Sequence, residues 1–352
     1  MRVSAPELVH SRTSAACEAT VRAVLRSGRW VGGDVLADAE GALAQRLGRA
    51  HGVGVGSGTS ALTLALQAAG VQPGDEVIIP AVSFVATATA VLRAGARPVV
   101  VDVTPGLPLL DPEQVRSAYS PKVKAVVPVQ LFGNLAPRLG DLPAELLVVN
   151  DAAQAMGRDL PLGQGCATVV SFYPTKVLAA AGDAGLVATD DARLAAAVRA
   201  LGSHGRCDGG YHPVRGSIAG NDRMDAVQAA ILMARLPDLS TRVAHRRALL
   251  RRYRERLPEL VLPHDAGSNV AVVAAVHPAR DRIRASLDAE GIDTACYYPR
   301  ALSEEPVLAG ARIHGTLGEA RRFCATCLAL PCHIGMTLSD VDRVSDAVLG
   351  AL

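Results

Sequence analysis

The stretch EVIIPAVSFVATATAVLRAGARPVVVD, residues 76–102, contains two apolar β-branched runs separated by an Ala-rich segment with helical spacing. Two strands joined by a crossover helix form a parallel pair, and strands without hydrophobic alternation are covered on both faces. Five similar runs occur in the chain: GVGV (52–55), KAVVPV (124–129), LLVVND (146–151), TVVSF (168–172) and GLVAT (185–189). The sequence therefore predicts an α/β fold whose large domain has a central, mainly parallel seven-stranded sheet flanked by helices.

The C-terminal third has a different pattern. Helical periodicity continues over residues 222–257, with a predicted break at Pro237. It is followed by predicted strands at NVAVVAAV (269–276) and DTACYYP (293–299) and by predicted helices over 317–329 and 339–351. We predict a large domain over residues 1–240 and a smaller α+β domain over 241–352, with the N-terminal segment as a candidate to pack on the small domain.

Composition excludes several classes of protein. A hydrophobic content of 49% with 20% charged residues is typical of a globular chain, and the net charge of +2 comes without a basic, aromatic-rich cluster for nucleic acid. No apolar run is long enough to span a membrane, and the first residues lack the apolar core of a secretory signal. We therefore expect a cytoplasmic protein with neither nucleic acid nor membrane as a partner.

The seven cysteines are an odd number, which favours reduced thiols over a disulfide framework. Cys324, Cys327, Cys332 and His333 form a C-x2-C-x4-C-H pattern that could ligate zinc. Cys324 and Cys327 also fit the buried face of a helix in EARRFCATCLAL (319–330), and this packing interpretation is favoured. We predict no metal site.

Lysine is rare in this chain, because only Lys122, Lys124 and Lys176 occur among 36 basic residues. Arginine can replace lysine as a surface charge, but it cannot lose a proton to become an amine nucleophile. An isolated lysine is usually a solvated surface residue. Lys176, however, follows a predicted strand in SFYPTK (171–176), which makes it a candidate nucleophile.

Polar residues follow two other strands, at the sheet edge where ligands of open α/β folds bind. The segment GSGTS (56–60) lies between a strand and a helix, so its N–H groups and hydroxyls could hold a phosphate, although an ordinary turn and helix cap looks the same. Asp151 ends the LLVVND strand with Gln154 three residues later. A carboxylate there either meets a cationic group or caps the next helix.

A phosphate-binding turn, a strand-end aspartate and a strand-end lysine, in that order, suggest pyridoxal 5'-phosphate bound to the large domain. Lys176 would form the Schiff base, and Asp151 would keep the ring nitrogen protonated. The glycine turn, including Gly58, would hold the phosphate together with Ser171.

Several motifs resemble the DegT/StrS family of sugar aminotransferases. They are the run from GSGTSALTLAL through PVVVD (56–102), PKVKAVVPVQLFGN (121–134), NDAAQAMG (150–157), SFYPTKVLAAAGDAGLVAT (171–189) and NDRMDAVQAAILMARL (221–236). The resemblance covers about residues 27–236 and resumes at YYP and LALPCHIGMTLSDVDRV. It implies the aspartate aminotransferase fold (fold type I), pyridoxal 5'-phosphate as cofactor and a homodimer with shared active sites.

The resemblance also assigns site residues. Lys176 and Asp151 are implied as the Schiff-base lysine and the partner of the ring nitrogen. Gln154 is implied to contact the ring hydroxyl, and Phe84 to stack on the ring. The phosphate is implied to contact Thr59, Ser60 and Ser171, and also Asn221 of the neighbouring subunit.

Substrate contacts are less defined. Tyr173 and Gln130 flank strand ends and are candidate acceptor contacts, although each could be structural, and Trp30 and Tyr298 lie in segments resembling substrate-lining regions. The chain departs from the family pattern near residues 262–270, in GSIAGNDRMD (216–225) and in YYPRALSEEP (297–306). These regions border the substrate, so the sugar is not identified by the resemblance.

The expected reaction moves an amino group from L-glutamate or L-glutamine to a keto sugar, nucleotide-linked or free, or to a ketocyclitol, in amino-sugar, antibiotic or glycan biosynthesis. Related sugar dehydratases carry histidine at the position of Lys176, which favours amino transfer here. Two alternatives stay open: another reaction of the same cofactor, such as elimination or aromatising dehydration, and a non-catalytic sugar-sensing scaffold dimer.

Overall fold

The computed structural model describes residues 1–140, 143, 145–159, 162, 165–207, 210–211 and 218–352. Strands are β1 (His51–Val55), β2 (Glu76–Pro80), β3 (Arg97–Val101), β4 (Val123–Val126), β5 (Leu147–Asp151), β6 (Ala167–Ser171), β7 (Gly185–Thr189), β8 (Arg206–Cys207), β9 (Gly210–Tyr211), β10 (Val273–Val276), β11 (Arg312–Ile313) and β12 (Cys327–Leu330).

The helices are α1 (Pro6–Ser27), α2 (Asp34–Arg46), α3 (Gly58–Ala68), α4 (Val85–Arg93), α5 (Pro112–Ala118), α6 (Ala192–Leu201), α7 (Ala226–Arg235), α8 (Leu239–Arg256), α9 (Arg280–Ala289), α10 (Gly318–Thr326) and α11 (Leu338–Gly350). Short 3-10 turns occur at Leu131–Gly133, Leu236–Asp238, Leu302–Glu304 and Pro306–Leu308. None of these helices is long and apolar enough to cross a membrane.

The central sheet has the strand order β1-β7-β6-β5-β4-β2-β3-β11. All neighbouring pairs from β11 to β6 are parallel, whereas β7 is antiparallel to both β6 and β1. The strands β1 to β6 therefore all end at the same edge. The prediction of a mainly parallel α/β sheet is confirmed, with the two-residue β11 added to the seven predicted strands.

Burial explains why the strands lack hydrophobic alternation. Every residue of β2, β6 and β7 is buried, because helices cover both faces of the sheet. Helix α3 runs directly from β1 and is buried along most of its length, with a leucine-rich surface against the sheet. This packing holds the N-terminus of α3 beside the ends of its neighbouring strands.

The C-terminal third differs from the sequence prediction in two places. The predicted helix over 317–329 ends at Thr326, and Cys327–Leu330 instead form β12, which pairs antiparallel with β10. The predicted strand at 293–299 is only an isolated bridge between Ala295 and Ala329. The predicted break at Pro237 is confirmed by the 3-10 turn between α7 and α8, while the domain boundary at residue 240 stays a prediction.

The first residues lie against the C-terminal third. The amino group of Met1 donates to the carbonyl of Gly291, and Met1 accepts a hydrogen bond of 2.7 Å from the backbone N–H of Asp293. The carbonyl of Val3 accepts from Cys332 N. This arrangement brings Val3 and Ser4 to the cleft described next.

Candidate active site

A cleft of about 730 Å³ opens at the edge where strands β1 to β6 end. Nine of the thirteen residues predicted for the site line it: Gly58, Thr59, Phe84, Asp151, Gln154, Ser171, Tyr173, Lys176 and Tyr298. They come from segments far apart in sequence, and the sheet brings them together because parallel strands place their carboxyl ends side by side.

The glycine turn is packed tightly against the end of β6. Ser57 caps α3, its hydroxyl accepting a hydrogen bond of 3.1 Å from the backbone N–H of Ser60. A Cβ atom at Gly58 would lie 2.7 Å from Cβ of Ser171, so only glycine fits at this position without a shift. The free N–H groups of the first turn of α3 and the hydroxyls of Thr59 and Ser171 thus lie at the positive end of a helix, which favours an anion.

Asp151 is buried where β5 ends. Its Oδ2 accepts a hydrogen bond of 2.9 Å from the hydroxyl of Thr87, which lies 2.7 Å from the hydroxyl of Ser83, and its Oδ1 accepts one of 3.1 Å from Ala153 N. Burial raises the pKa of the carboxyl, and these two hydrogen bonds and the charge of Lys176 oppose the rise. A protonated ring nitrogen next to this buried carboxylate would stabilise its charged form.

Lys176 lies in the turn after β6, where its backbone N–H donates 2.8 Å to the carbonyl of Tyr173. Burial lowers the pKa of the Lys176 amine, and the carboxylate of Asp151 partly restores it. A lowered pKa increases the fraction of neutral amine near neutral pH, which is the form that attacks a carbonyl carbon.

Gln154 links the backbone at Phe132 to the side chain of Tyr298, which lines the cleft. Its Oε1 accepts a hydrogen bond of 2.6 Å from Phe132 N, and its Nε2 donates 3.2 Å to the Tyr298 hydroxyl. The ring of Tyr298 lies 6.1 Å from that of Phe84, whose side chain remains 57% exposed. Phe84 and Asp151 line the same cleft, so an exposed aromatic face is available there for a flat ring.

Four predicted residues do not line the cleft. Ser60 is buried, and its hydroxyl donates a hydrogen bond of 2.6 Å to Asp222 Oδ1; Gln130 is fully buried, and its side-chain amide donates to the carbonyl of Leu162. The other two are exposed. Asn221 lies at the surface, and Trp30 is 57% exposed, with its indole N–H donating to the carbonyl of Leu25. The role of Gln130 as an acceptor contact stays a prediction; in this structure its side chain is buried and does not line the cleft. The position of Gln130 after a strand predicts the edge of the sheet at which it lies, but not the direction in which its side chain points.

The cleft also contains residues that were not predicted, among them Thr87, Arg246, Cys296 and Tyr297. Thr87 follows Phe84 by one helical turn in α4, a spacing that could have indicated it. Arg246 gives no such signal, since α8 is rich in arginine on all sides.

The C-x2-C-x4-C-H segment does not form a ligand cluster. Cys324, Cys327 and Cys332 are buried free thiols, and burial raises the pKa of Cys324 and of Cys327 to about 12. Within the described ranges, no group of three or more His, Cys, Asp or Glu side chains could hold a metal ion.

The donor set fits pyridoxal 5'-phosphate. The helix N-terminus with its hydroxyls suits the phosphate, the buried acid suits a protonated ring nitrogen, and the lysine of lowered pKa suits the carbonyl. The close approach of Gly58 to Ser171 keeps the N-terminus of α3 next to the end of β6.

Comparison with known proteins gives the same result. A sequence profile of the DegT/DnrJ/EryC1/StrS aminotransferase family matches residues 12–349. The chain is 39% identical over 329 residues to a "Pleiotropic regulatory protein" of Geobacillus stearothermophilus, covering 88% of this chain and 87% of that protein. It is 37% identical over 351 residues to the dTDP-3-amino-3,4,6-trideoxy-alpha-D-glucose transaminase of Streptomyces venezuelae, covering 94% and 90%.

Solved structures agree in fold. The crystal structure of DesV from S. venezuelae in complex with a ketimine intermediate superposes with a TM-score of 0.91 at 35% identity, covering 99% of this chain and 97% of that one. A Bacillus subtilis protein solved with the bound cofactor PMP has a TM-score of 0.87 at 28% identity, covering 97% and 82%.

Proposed function

We propose that this chain, which belongs to the DegT/DnrJ/EryC1/StrS aminotransferase family, moves an amino group from L-glutamate or L-glutamine to a nucleotide-linked keto sugar. The chain is a pyridoxal phosphate-dependent sugar aminotransferase; the donor, the exact acceptor and the residue roles are the proposal. The observation that carries it is the pairing, in one cleft, of a lysine of lowered pKa with a buried, hydrogen-bonded aspartate.

Pyridoxal phosphate, when bound, supplies an electron-withdrawing ring that accepts negative charge from the carbon losing its proton. Lys176 is the proposed attachment point for the cofactor carbonyl. Once displaced by the donor amine, its Nζ would be the base that removes the donor's α-proton in the first half of the reaction and the acid that protonates the acceptor carbon in the second half. The lowered pKa of this amine suits both tasks.

Asp151 is proposed to hold the ring nitrogen in its protonated form. The Thr87 hydroxyl and the Ala153 N–H fix both carboxylate oxygens, so the acid is oriented before the ring arrives. Gln154 is proposed to contact the ring hydroxyl, and Phe84 is proposed to cover the outer ring face. These contacts would hold the ring in one orientation and cover one of its faces.

The phosphate is proposed to bind at Gly58, Thr59 and Ser171. Ser60, whose hydroxyl is bonded to Asp222, is assigned instead to holding this turn in shape. We propose a homodimer in which Asn221 reaches the phosphate of the neighbouring subunit, in agreement with the exposure of this side chain. A cytoplasmic location is also proposed.

On the acceptor side, Tyr173 and Tyr298 line the cleft and are the proposed sugar contacts. Trp30 lies outside the cleft of its own chain, so we propose it only as a contact to the substrate bound in the neighbouring subunit of the proposed dimer. A nucleotide-linked keto sugar is favoured over a ketocyclitol or a free keto sugar because relatives named for activated sugars include UDP- and dTDP-linked substrates.

The absorption spectrum of the purified protein tests this proposal. We expect a yellow protein whose visible band is lost on adding L-glutamate or L-glutamine and returns with one keto sugar from a panel of UDP-, dTDP- and GDP-linked compounds. Lys176→Ala should lose the band, whereas the control Lys122→Ala, at an exposed lysine, should keep it. A band that no donor bleaches would refute amino transfer and favour the regulatory role that the name of the Geobacillus relative suggests.

A further inference from the structure

Two buried hydroxyl groups, those of Ser83 and Thr87, form a pair that ends on Asp151. The Ser83 hydroxyl lies 2.7 Å from the Thr87 hydroxyl, and the Thr87 hydroxyl donates a hydrogen bond of 2.9 Å to Asp151 Oδ2. The two residues are four apart in sequence, so their side chains meet on one side of the start of α4. Ser83 is 3% exposed and Thr87 is 1% exposed. This hydroxyl pair is therefore shielded from bulk water, and its hydrogen bonds lead to the carboxylate.

Thr87 does not use its hydroxyl as a threonine inside a helix commonly does. Such a hydroxyl usually bonds a backbone carbonyl of the preceding turn. Thr89 follows this rule in the same helix, since its hydroxyl donates 3.2 Å to the carbonyl of Ala86. Thr87 donates instead to a carboxylate 64 residues away in sequence. The hydroxyl of Thr87 thus serves Asp151 and not the helix.

The hydrogen bonds of the hydroxyl pair have one direction. Each hydroxyl has a single proton, and an ionised carboxylate only accepts hydrogen bonds. Because Thr87 donates its proton to Asp151, the short contact between the two hydroxyls uses the proton of Ser83. Ser83 therefore donates to Thr87 and Thr87 donates to Asp151, for as long as Asp151 carries its charge.

This direction stabilises a charge that burial opposes. Burial raises the pKa of Asp151, whereas the hydrogen bonds from Ala153 and Thr87 lower it. A hydroxyl that accepts a hydrogen bond is a stronger donor, because successive hydrogen bonds in a low-dielectric interior polarise one another. Ser83 thus strengthens the bond from Thr87 to the carboxylate, although its own proton is donated to Thr87.

We propose that Ser83 is a positioning residue: acting through Thr87, it holds Asp151 as an oriented carboxylate for the protonated ring nitrogen of pyridoxal phosphate. The inference rests on the proposed role of Asp151 and adds to it a residue that acts at one remove. Loss of the Ser83 hydroxyl leaves Thr87 free to turn and its bond to Asp151 less polarised. The site should then distinguish less well between a ring that carries an N–H group and a ring that does not.

Equilibrium binding to the cofactor-free protein tests the inference without turnover. Two ligands are compared: pyridoxal phosphate and its 1-deaza analogue, in which a C–H group replaces the ring nitrogen. The readout is the ratio of their dissociation constants, because general damage to the site weakens both ligands alike. The wild type should prefer pyridoxal phosphate. Ser83→Ala should reduce this preference roughly 3- to 10-fold, the loss of a bond between neutral groups, and Thr87→Val roughly 10- to 100-fold, the loss of a bond to a charged group.

Two further variants serve as controls. Thr89→Val removes a hydroxyl from the same helix that is bonded only to the carbonyl of Ala86, so it should keep the ratio of the wild type. Thr87→Ser retains a hydroxyl at the position that donates to Asp151, so it should restore most of the preference that Thr87→Val loses. If Thr87→Val does not fold, Ser83→Ala and Thr89→Val still decide the question.

A wild-type ratio in Ser83→Ala, or an equal loss in Thr89→Val, would overturn the inference. Asp151→Asn separates this result from a failure of the proposed function. Should Asp151→Asn itself keep the ratio of the wild type, Asp151 is not the partner of the ring nitrogen, and the proposed role fails together with the inference. Should Asp151→Asn lose the preference while Ser83→Ala keeps it, the role of Asp151 stands and the role of Ser83 alone is refuted.

Discussion

Replacing Gly58 with alanine tests the tight contact at the phosphate end of the cleft. The new Cβ would lie 2.7 Å from Cβ of Ser171 and 3.2 Å from its Oγ, whereas carbon atoms in favourable contact are about 3.5–4.0 Å apart. Relieving such an overlap costs about 1–3 kcal/mol. Unfolding entropy of about 2.1 cal/mol/K per residue gives roughly 0.7 kcal/mol/K for a chain of this length, so the overlap lowers Tm by about 1.5–4 °C.

The matched control is Gly41→Ala. Gly41 lies inside α2 with no atom within 4 Å of its would-be Cβ, so alanine there gains helix propensity without a clash. Differential scanning calorimetry of the cofactor-free proteins should give Gly58→Ala the lower Tm of the two variants, by at least the interval above. Because Gly58 belongs to the proposed phosphate site, moving its N–H group should also weaken pyridoxal phosphate binding by roughly 10-fold or more in Gly58→Ala alone.

A double variant identifies the source of the effect. Gly58→Ala/Ser171→Gly removes the two shortest contacts and leaves the Cα of residue 171 at 3.3 Å, so the two changes should be non-additive in stability by about 0.5–3 kcal/mol. Cofactor affinity should not recover, because the Ser171 hydroxyl is itself a proposed phosphate ligand. Additive stabilities, or a Gly58→Ala protein as stable as Gly41→Ala, would refute the packing argument.

Three further predictions concern individual side chains. In the cofactor-free protein at neutral pH, an amine-selective reagent should label Lys176 before Lys122, since burial lowers the pKa of Lys176. Peptide mass spectrometry measures the extent of labelling at each lysine, and equal labelling of the two would contradict the prediction. Burial raises the pKa of Asp151 above its usual 3.8, so the folded protein holds that proton more tightly than the unfolded chain does. The Tm of the wild type, relative to that of Asp151→Asn, should therefore fall as pH rises from about 3.8. A relative Tm that rises with pH would contradict the raised pKa. Gln130→Leu should lower Tm by leaving the carbonyl of Leu162 unpaired while the acceptor KM changes less than about twofold; a large KM effect would support the substrate role.

The large sheet could be predicted because the local sequence of each strand is enough to identify it. Apolar runs of fixed length between helical segments identify buried parallel strands, and polar residues at their ends identify the ligand edge. This logic located Asp151 and Lys176. It could not decide side-chain direction, so Gln130 was assigned to the cleft although it is fully buried.

The remaining errors have a non-local cause. Residues 327–330 continue an apolar helical pattern, and only pairing with β10 makes them a strand. Arg246 looks like any other arginine of α8, and its position at the cleft depends on carbonyl groups of Val270 and Ala271 beyond the helix. Such contacts depend on tertiary structure, which periodicity in one segment does not encode.

The pairing of β1 with β7 has a consequence for how the chain acquires its cofactor. Strand β1 lies beside β7, so the turn after β1 reaches Ser171 at the end of β6 once β1 has paired with β7. That pairing closes a loop that contains strands β2 to β6. Closing such loops is slow, because chain entropy is lost before the contacts form. We therefore expect the contact between the turn after β1 and Ser171 to form late in folding. We therefore expect pyridoxal phosphate to bind a nearly complete fold and to slow its unfolding, because a ligand that binds only the folded state stabilises it.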